Sequence, residues 1–115
     1  MKPLQLANQY MEIFYGKGSL DSLDVLLADN FSFKGPFYQF DSKASYIDAL
    51  KSDPPENCTY QLVRSFENDS SACLVYQFNK PGISSLMTQL FETDNGRISK
   101  IVLVFDSAEF SQSRF

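Results

Sequence analysis

Residues 83–106, which read ISSLMTQLFETDNGRISKIVLVFD, decide the fold. Apolar and polar side chains alternate on both sides of Asn95-Gly96, a dipeptide that favours a tight hairpin turn. The pattern predicts strands at 83–92 and 97–105. Because successive side chains of a strand point to opposite faces, each of these strands presents one mainly apolar row to a core.

The period of two extends back to residue 58. Strands are predicted at 58–67 and 72–79, with turns at 68–71 and 80–82, so the C-terminal half is expected to form a four-stranded antiparallel meander. The first turn sets Cys73 opposite Phe66 and leaves Cys58 at the far end of the pair. We therefore expect the two thiols to lie apart, as small buried side chains and not as a disulfide.

The N-terminal half is predicted to be mainly helical, because its apolar residues recur at helical spacing. A short strand pair is expected within 31–40, around a turn at Gly35-Pro36. Helices followed by a meander are typical of an α+β domain with its helices on one face of the sheet. We expect a single domain over residues 1–115, with its core at about 3–106. The predicted helices are 3–15, 19–28, and one that begins at Asp41 or Ser42 and ends before Asp53.

Charge and composition exclude several classes of function. The chain of 115 residues has a formal net charge of −4, whereas nucleic-acid-binding surfaces are rich in Lys and Arg. It contains no histidine, which excludes a His acid–base, a Ser-His-Asp or Cys-His nucleophile and a His-ligated metal. Two cysteines do not make a zinc site. We expect no metal, no cofactor and no nucleic-acid partner.

The hydrophobic segments are short. None approaches the roughly 20 apolar residues of a membrane span. Near the N-terminus, the polar residues Asn8 and Gln9 interrupt the sequence before the apolar core of a signal peptide could form. A cytoplasmic protein without a membrane partner is therefore expected.

Three segments carry a resemblance to a known family: NQYMEIF at 8–14, LDVLLADNFSF at 23–33 and NGRISKIVLVFD at 95–106. With the order of predicted elements, they resemble the NTF2-like superfamily, in its SnoaL-like and ketosteroid-isomerase-like branch. The resemblance implies an NTF2-like (cystatin-like) cone, with three N-terminal helices packed on a curved antiparallel sheet. It also implies a pocket open at one end and a dimer formed through the outer face of the sheet.

The resemblance does not extend to the catalytic residues of ketosteroid isomerases. These enzymes need a tyrosine and a protonated aspartic acid for the oxyanion, and an aspartate base. The corresponding positions here are Tyr10, Gln89 and Gly35. Loss of a general base costs a factor on the order of 100 to 10,000 in rate. Ketosteroid isomerase activity is therefore not expected.

Other catalytic branches lack their residues as well. SnoaL-type cyclases and scytalone dehydratase, which are similar folds, use histidine. Limonene epoxide hydrolase uses an Asp-Arg-Asp relay, and its last carboxylate falls at Leu103 or Val102 here. Whether the chain is an enzyme stays open, with no catalytic residue assigned.

Strand parity predicts a pocket face and an outer face. If Gln89 points inward, a small apolar ligand would contact Tyr10 and Gln89 as polar anchors, together with an apolar row: Met87, Phe91, Ile101, Leu103 and Phe105. The alternative for Tyr10 is a core tyrosine, and for Gln89 a structural hydrogen bond to Tyr10 or another tyrosine. The opposite, outward row is also apolar, and it consists of Leu86, Leu90, Val102 and Val104. We expect these residues to form a homodimer interface; the alternative is a buried edge of the core.

Charged residues near these strands give secondary candidates. Arg64 is an anion ligand if it points inward. Lys34 lies beside Gly35 and is either at the pocket mouth or a solvated loop residue. Asp106 is expected to cap a C-terminal turn, with Glu109 returning the hydrogen bond.

Three functions remain open. The first is a homodimer that binds a lipophilic ligand with one carbonyl or hydroxyl group in the cone. The second is a SnoaL-like isomerase, cyclase or dehydratase that works without histidine. The third is a non-catalytic interaction or assembly module that uses the outer face for another protein.

Overall fold

The computed structural model of the protein describes residues 1–112, with side chains through residue 110. Four α-helices and six β-strands are present in that range. The helices are α1 (Pro3–Phe14), α2 (Leu23–Leu26), α3 (Lys43–Ser52) and α4 (Ser107–Gln112). The strands are β1 (Leu27–Lys34), β2 (Gln39–Phe40), β3 (Thr59–Glu67), β4 (Ser71–Lys80), β5 (Ile83–Asp94) and β6 (Arg97–Val104). The α+β class is confirmed, and α4 adds a C-terminal helix to the three expected.

All six strands form one curved sheet in the order β2-β1-β6-β5-β4-β3. The predicted meander β3 to β6 is antiparallel throughout, with Cys73 opposite Phe66 as expected. However, β1 pairs with β6 in parallel, so the sheet is mixed and not purely antiparallel. Irregularities in register between Leu62 and Arg64, and between Glu92 and Thr93, add twist and bend to the strands.

The second helix is much shorter than predicted. A single 3-10 turn over Leu20–Ser22 leads into α2, and Leu27 already belongs to β1, opposite Ile98 of β6. Leucines at helical spacing favour a helix here, but pairing with β6 buries Leu27 fully in the sheet. This tertiary contact outweighs the local preference.

The helices pack on the concave face of the sheet. α1 contacts four strands, β3 to β6, and buries Leu6, Ala7, Tyr10 and Met11, while α3 packs on β1 and β2. On the convex face, Leu86 is 54% exposed and Val104 is 57% exposed. The sheet therefore has one face that the helices cover and one face that is open to solvent.

The two cysteines are free, but neither is fully buried, in contrast to the expectation. Their positions explain this: Cys58 precedes the edge strand β3, and Cys73 on the inner strand β4 points to the open convex face beside Leu90. Among residues 1–112, no helix is long and apolar enough to cross a membrane.

Candidate ligand-binding site

A cavity of about 690 Å³ lies between the concave face, α1 and α3. More than half of the residues around it are aromatic, and they come from every layer of the fold. The aromatic lining consists of Tyr10, Phe14, Tyr15, Phe33, Phe37, Tyr38, Phe40, Tyr46, Tyr76, Phe78, Phe105 and Phe110.

Two tyrosine hydroxyls meet in this cavity. Tyr10 projects from α1 and Tyr46 from α3, and their hydroxyl oxygens share a hydrogen bond. Both residues are almost fully buried, at 2% and 3% exposed. A pair of hydroxyls carries two protons, and the bond between them uses one. The other proton is available to an acceptor in the cavity.

A second polar pair lies on the strands opposite. Gln89 on β5 is 3% exposed, and its Oε1 accepts a hydrogen bond of 2.7 Å from the Tyr76 hydroxyl on β4. The Tyr10 hydroxyl also interacts with the Gln89 side chain, and that of Tyr15 with Tyr76. Four tyrosines and one amide thus cluster in a polar network inside an aromatic wall, with direct hydrogen bonds in the pairs Tyr10–Tyr46 and Tyr76–Gln89.

Burial keeps these tyrosines neutral. Removal from water raises the pKa of Tyr10 well above its ordinary value of 10.0, and the adjacent Tyr46 hydroxyl raises it further. Burial likewise raises the pKa of Tyr46, Tyr15 and Tyr76. At neutral pH the network therefore contains O–H donors and no negative charge.

Gly35, which the resemblance set at the position of the isomerase base, lines the cavity. A Cβ atom added to Gly35 would lie 3.2 Å from Cε1 of Phe33, so even a small side chain there requires Phe33 to shift. Apart from tyrosines, the ionisable cavity-lining residues in the described part of the chain are Asp53 and Lys80, both exposed at the rim. The polar groups of the interior are therefore neutral tyrosine hydroxyls and the Gln89 amide, which can donate hydrogen bonds.

The cavity brings together most of the residues that strand parity singled out. Tyr10, Gln89, Met87, Leu103 and Phe105 all line it. Phe91 and Ile101 do not. Both are fully buried in the hydrophobic core next to the cavity. The ring centroid of Phe91 lies 5.4 Å from that of Tyr10, so Phe91 supports a lining residue without lining the cavity itself.

Tyr46 and Tyr76 were not identified as site residues from the sequence. Tyr46 lies on the apolar stripe of α3, where it is indistinguishable from a core residue. Tyr76 lies opposite Met87 across the β4–β5 hairpin. The register of the turn at 80–82 would have placed it on the inward face.

The secondary candidates lie elsewhere. Arg64 pairs with Val75 and Lys34 with Val102, which puts both exposed side chains on the convex side, away from the cavity. Asp106 accepts a 3.0 Å hydrogen bond from the Ala108 backbone, as expected for a cap. Glu109 does not return it; its Oε1 instead accepts a hydrogen bond of 3.3 Å from Ser85 Oγ.

The convex face presents an apolar strip, formed by Leu86, Leu90, Val102 and Val104. Leu90 lies directly opposite Val102, and Leu86 and Val104 are the exposed members, both on the side of this pair away from the Asn95-Gly96 turn. These residues do not contact the core, because their parity is opposite to that of Gln89. Within the described residues, no group of His, Cys, Asp and Glu side chains could hold a metal ion.

Comparison with known proteins connects this architecture to solved structures. No protein-family model and no curated protein sequence matches the chain. An NTF2-like protein of unknown function from Cytophaga hutchinsonii is 19% identical with a TM-score of 0.81, and the match covers 96% of each chain. A proposed SnoaL-like polyketide cyclase from Shewanella putrefaciens is 14% identical with a TM-score of 0.83, covering 97% of this chain and 84% of that one.

A proposed ketosteroid isomerase from Kribbella flavida is 16% identical with a TM-score of 0.76, covering 89% of this chain and 76% of that one. Identities this low carry information about the fold and not about the activity. The three proteins share the helix-lined curved sheet described above. The chain has the NTF2-like fold, as its sequence resemblance predicted.

Proposed function

We propose that the protein is a single domain that binds a small lipophilic molecule carrying a carbonyl or hydroxyl oxygen. The observation that carries the proposal is the polar network of Tyr10, Tyr46, Gln89 and Tyr76 inside an otherwise apolar cavity. Ligand sites are typically apolar, with a few placed polar groups that orient the ligand. This cavity has that composition.

The size of the cavity also supports a small-molecule ligand. Its volume of about 690 Å³ lies inside the range of roughly 300–1,000 Å³ that is usual for such sites. Aromatic walls favour a flat, apolar body, and the neutral hydroxyls favour an acceptor oxygen over a cation.

A fluorescent ketone tests the proposal directly. Prodan, a neutral naphthyl ethyl ketone, changes its emission when its carbonyl oxygen accepts a hydrogen bond. We expect it to bind the wild-type protein, and Tyr10→Phe or Gln89→Leu to weaken binding by roughly threefold to tenfold, as for one lost hydrogen bond. Tyr60→Phe is the matched control, since Tyr60 does not line the cavity. Equal binding by all four proteins, or none by the wild type, would refute the proposed site.

We further propose that two copies associate through the convex apolar strip. Contiguous exposed apolar surface is characteristic of interaction sites, and two-fold dimers are the commonest assemblies. Sedimentation equilibrium should find a dimer that Leu86→Lys dissociates. Leu62→Lys is the control, because Leu62 is similarly exposed, at 50%, on edge strand β3. A wild-type monomer would instead favour another protein as the partner of the strip.

Catalysis without histidine is the weaker alternative. It would require Asp53 or Lys80 at the rim, or a tyrosine whose pKa burial raises away from neutrality, to transfer a proton.

The cytoplasm is the location we propose, where both free cysteines would remain reduced.

A further inference from the structure

The C-terminal helix α4 borders the cavity beside Phe37, a lining residue that is exposed to solvent. Its Phe110 lines the cavity and packs against three other aromatic rings. The ring centroid lies 4.7 Å from that of Phe105, 5.9 Å from that of Phe37 and 6.0 Å from that of Phe78. These are ordinary distances for packed aromatic pairs.

These three partners come from different parts of the sheet. Phe37 lies in the turn between β1 and β2, Phe105 follows β6, and Phe78 is on β4. In the strand order, β1 and β4 are separated by β6 and β5, which corresponds to about 14 Å along the sheet. Phe37, Phe110 and Phe78 therefore form a row of three rings between the β1–β2 turn and β4, with Phe110 in the middle.

Two connections hold α4 to the sheet, in addition to the ring contacts of Phe110. Its chain joins β6 through Phe105 and Asp106, and its Glu109 accepts a 3.3 Å hydrogen bond from Ser85 on β5. Phe37, the partner on the far rim, is 47% exposed in a turn. The contact between Phe110 and Phe37 joins a short helix to an exposed turn, and contacts at such sites are of the kind that open locally.

We infer that Phe110 is the gate of the cavity and limits the length of the ligand that it accepts. The inference rests on the proposed function, since it concerns the same cavity. In the closed position the ligand is confined between Phe110 and the tyrosine network. A ligand with a longer apolar chain fits only when the Phe110 ring is displaced, and release of any ligand requires the same displacement.

Two ketones that differ only in chain length test the inference. Prodan carries a propionyl group, and Laurdan carries a lauroyl group on the same naphthalene. Phe110→Ala should release Prodan about tenfold faster and shift the Laurdan-to-Prodan affinity ratio about tenfold toward Laurdan. Phe37→Ala, at an exposed turn position, should change both in the same direction. Phe66→Ala is the control, because Phe66 is 58% exposed on the convex side of β3.

A measurement without ligand separates failure of the gate from failure of the proposed function. The chain has no tryptophan, so its emission comes from its six tyrosines, several of which line the cavity. Phe110→Ala should raise acrylamide quenching of this emission, and Phe66→Ala should not. Unchanged quenching in both Phe110→Ala and Phe37→Ala, with folding intact by circular dichroism, overturns the gate. Equal Prodan binding by the wild type, Tyr10→Phe, Gln89→Leu and Tyr60→Phe would refute the proposed site and would leave the quenching result for the gate unaffected.

Discussion

The two faces of strand β5 differ more than its sequence suggests. Met87, Gln89 and Phe91 alternate with Leu86, Thr88 and Leu90, and both rows are mainly apolar. The first row is buried beneath α1, and the second lies on the open convex face. Hydrophobicity alone therefore does not distinguish them. The distinction comes from the helices, which cover one face and leave the other open.

The largest expected effect separates these two faces through stability. Phe91→Ala removes a fully buried ring that packs on Tyr10, and should lower the free energy of unfolding by about 3–5 kcal/mol. Leu86→Ala, five residues earlier on the exposed row, should change it by less than about 0.5 kcal/mol. Urea denaturation at low protein concentration measures both.

The same pair at high protein concentration sharpens the comparison. If the convex strip is a dimer interface, association stabilises the wild type by an amount that rises with the logarithm of its concentration, and Leu86→Ala loses part of that gain. A large loss for Leu86→Ala even in dilute solution would mean that the convex row belongs to the core of one chain.

The features set by local pattern were predictable from the sequence. The four-strand meander follows from alternation and from Asn95-Gly96, where Asn95 has a φ of 51° and Gly96 a φ of 76°, as a hairpin turn of this kind requires. The helix α3 also begins where its cap was expected, with Ser42 Oγ accepting from the Ser45 backbone.

The features set by long-range pairing were not predictable. The parallel contact of β1 with β6 converts Leu27 from a helical to a strand residue, and nothing in residues 19–28 signals it. The polar network likewise joins α1, α3, β4 and β5, so its members are recognisable only when these elements are docked. Gln89 and Tyr10 were the exceptions, because an amide in an apolar row is conspicuous in the sequence and the family resemblance singled out Tyr10.

A smaller effect should come from the polar network on the concave face. Gln89→Leu leaves the Tyr76 hydroxyl without its acceptor and should cost about 1–3 kcal/mol of unfolding free energy. Adding Tyr76→Phe should recover part of that loss, because both halves of the bond are then absent. Thr88, the residue before Gln89, provides the control: Thr88→Val on the convex side should cost less than about 0.5 kcal/mol of unfolding free energy. Additive losses in the double variant would show that the bond does not couple the two residues.

The smallest effect concerns alkaline pH, and again only the concave face contributes. Burial raises the pKa of Tyr10 in the folded protein above its ordinary value of 10.0. Below about pH 9 this tyrosine is protonated in both states, so its contribution to stability is constant. As the pH rises past about 10, the unfolded chain loses the proton while the folded one retains it, which favours unfolding by about 1.4 kcal/mol per pH unit for each such tyrosine.

Urea denaturation at a series of pH values should therefore show a steeper alkaline loss of stability for the wild type than for Tyr10→Phe. Parallel losses would mean that Tyr10 ionises as readily in the folded protein as in the unfolded chain, and that water reaches its hydroxyl through the mouth.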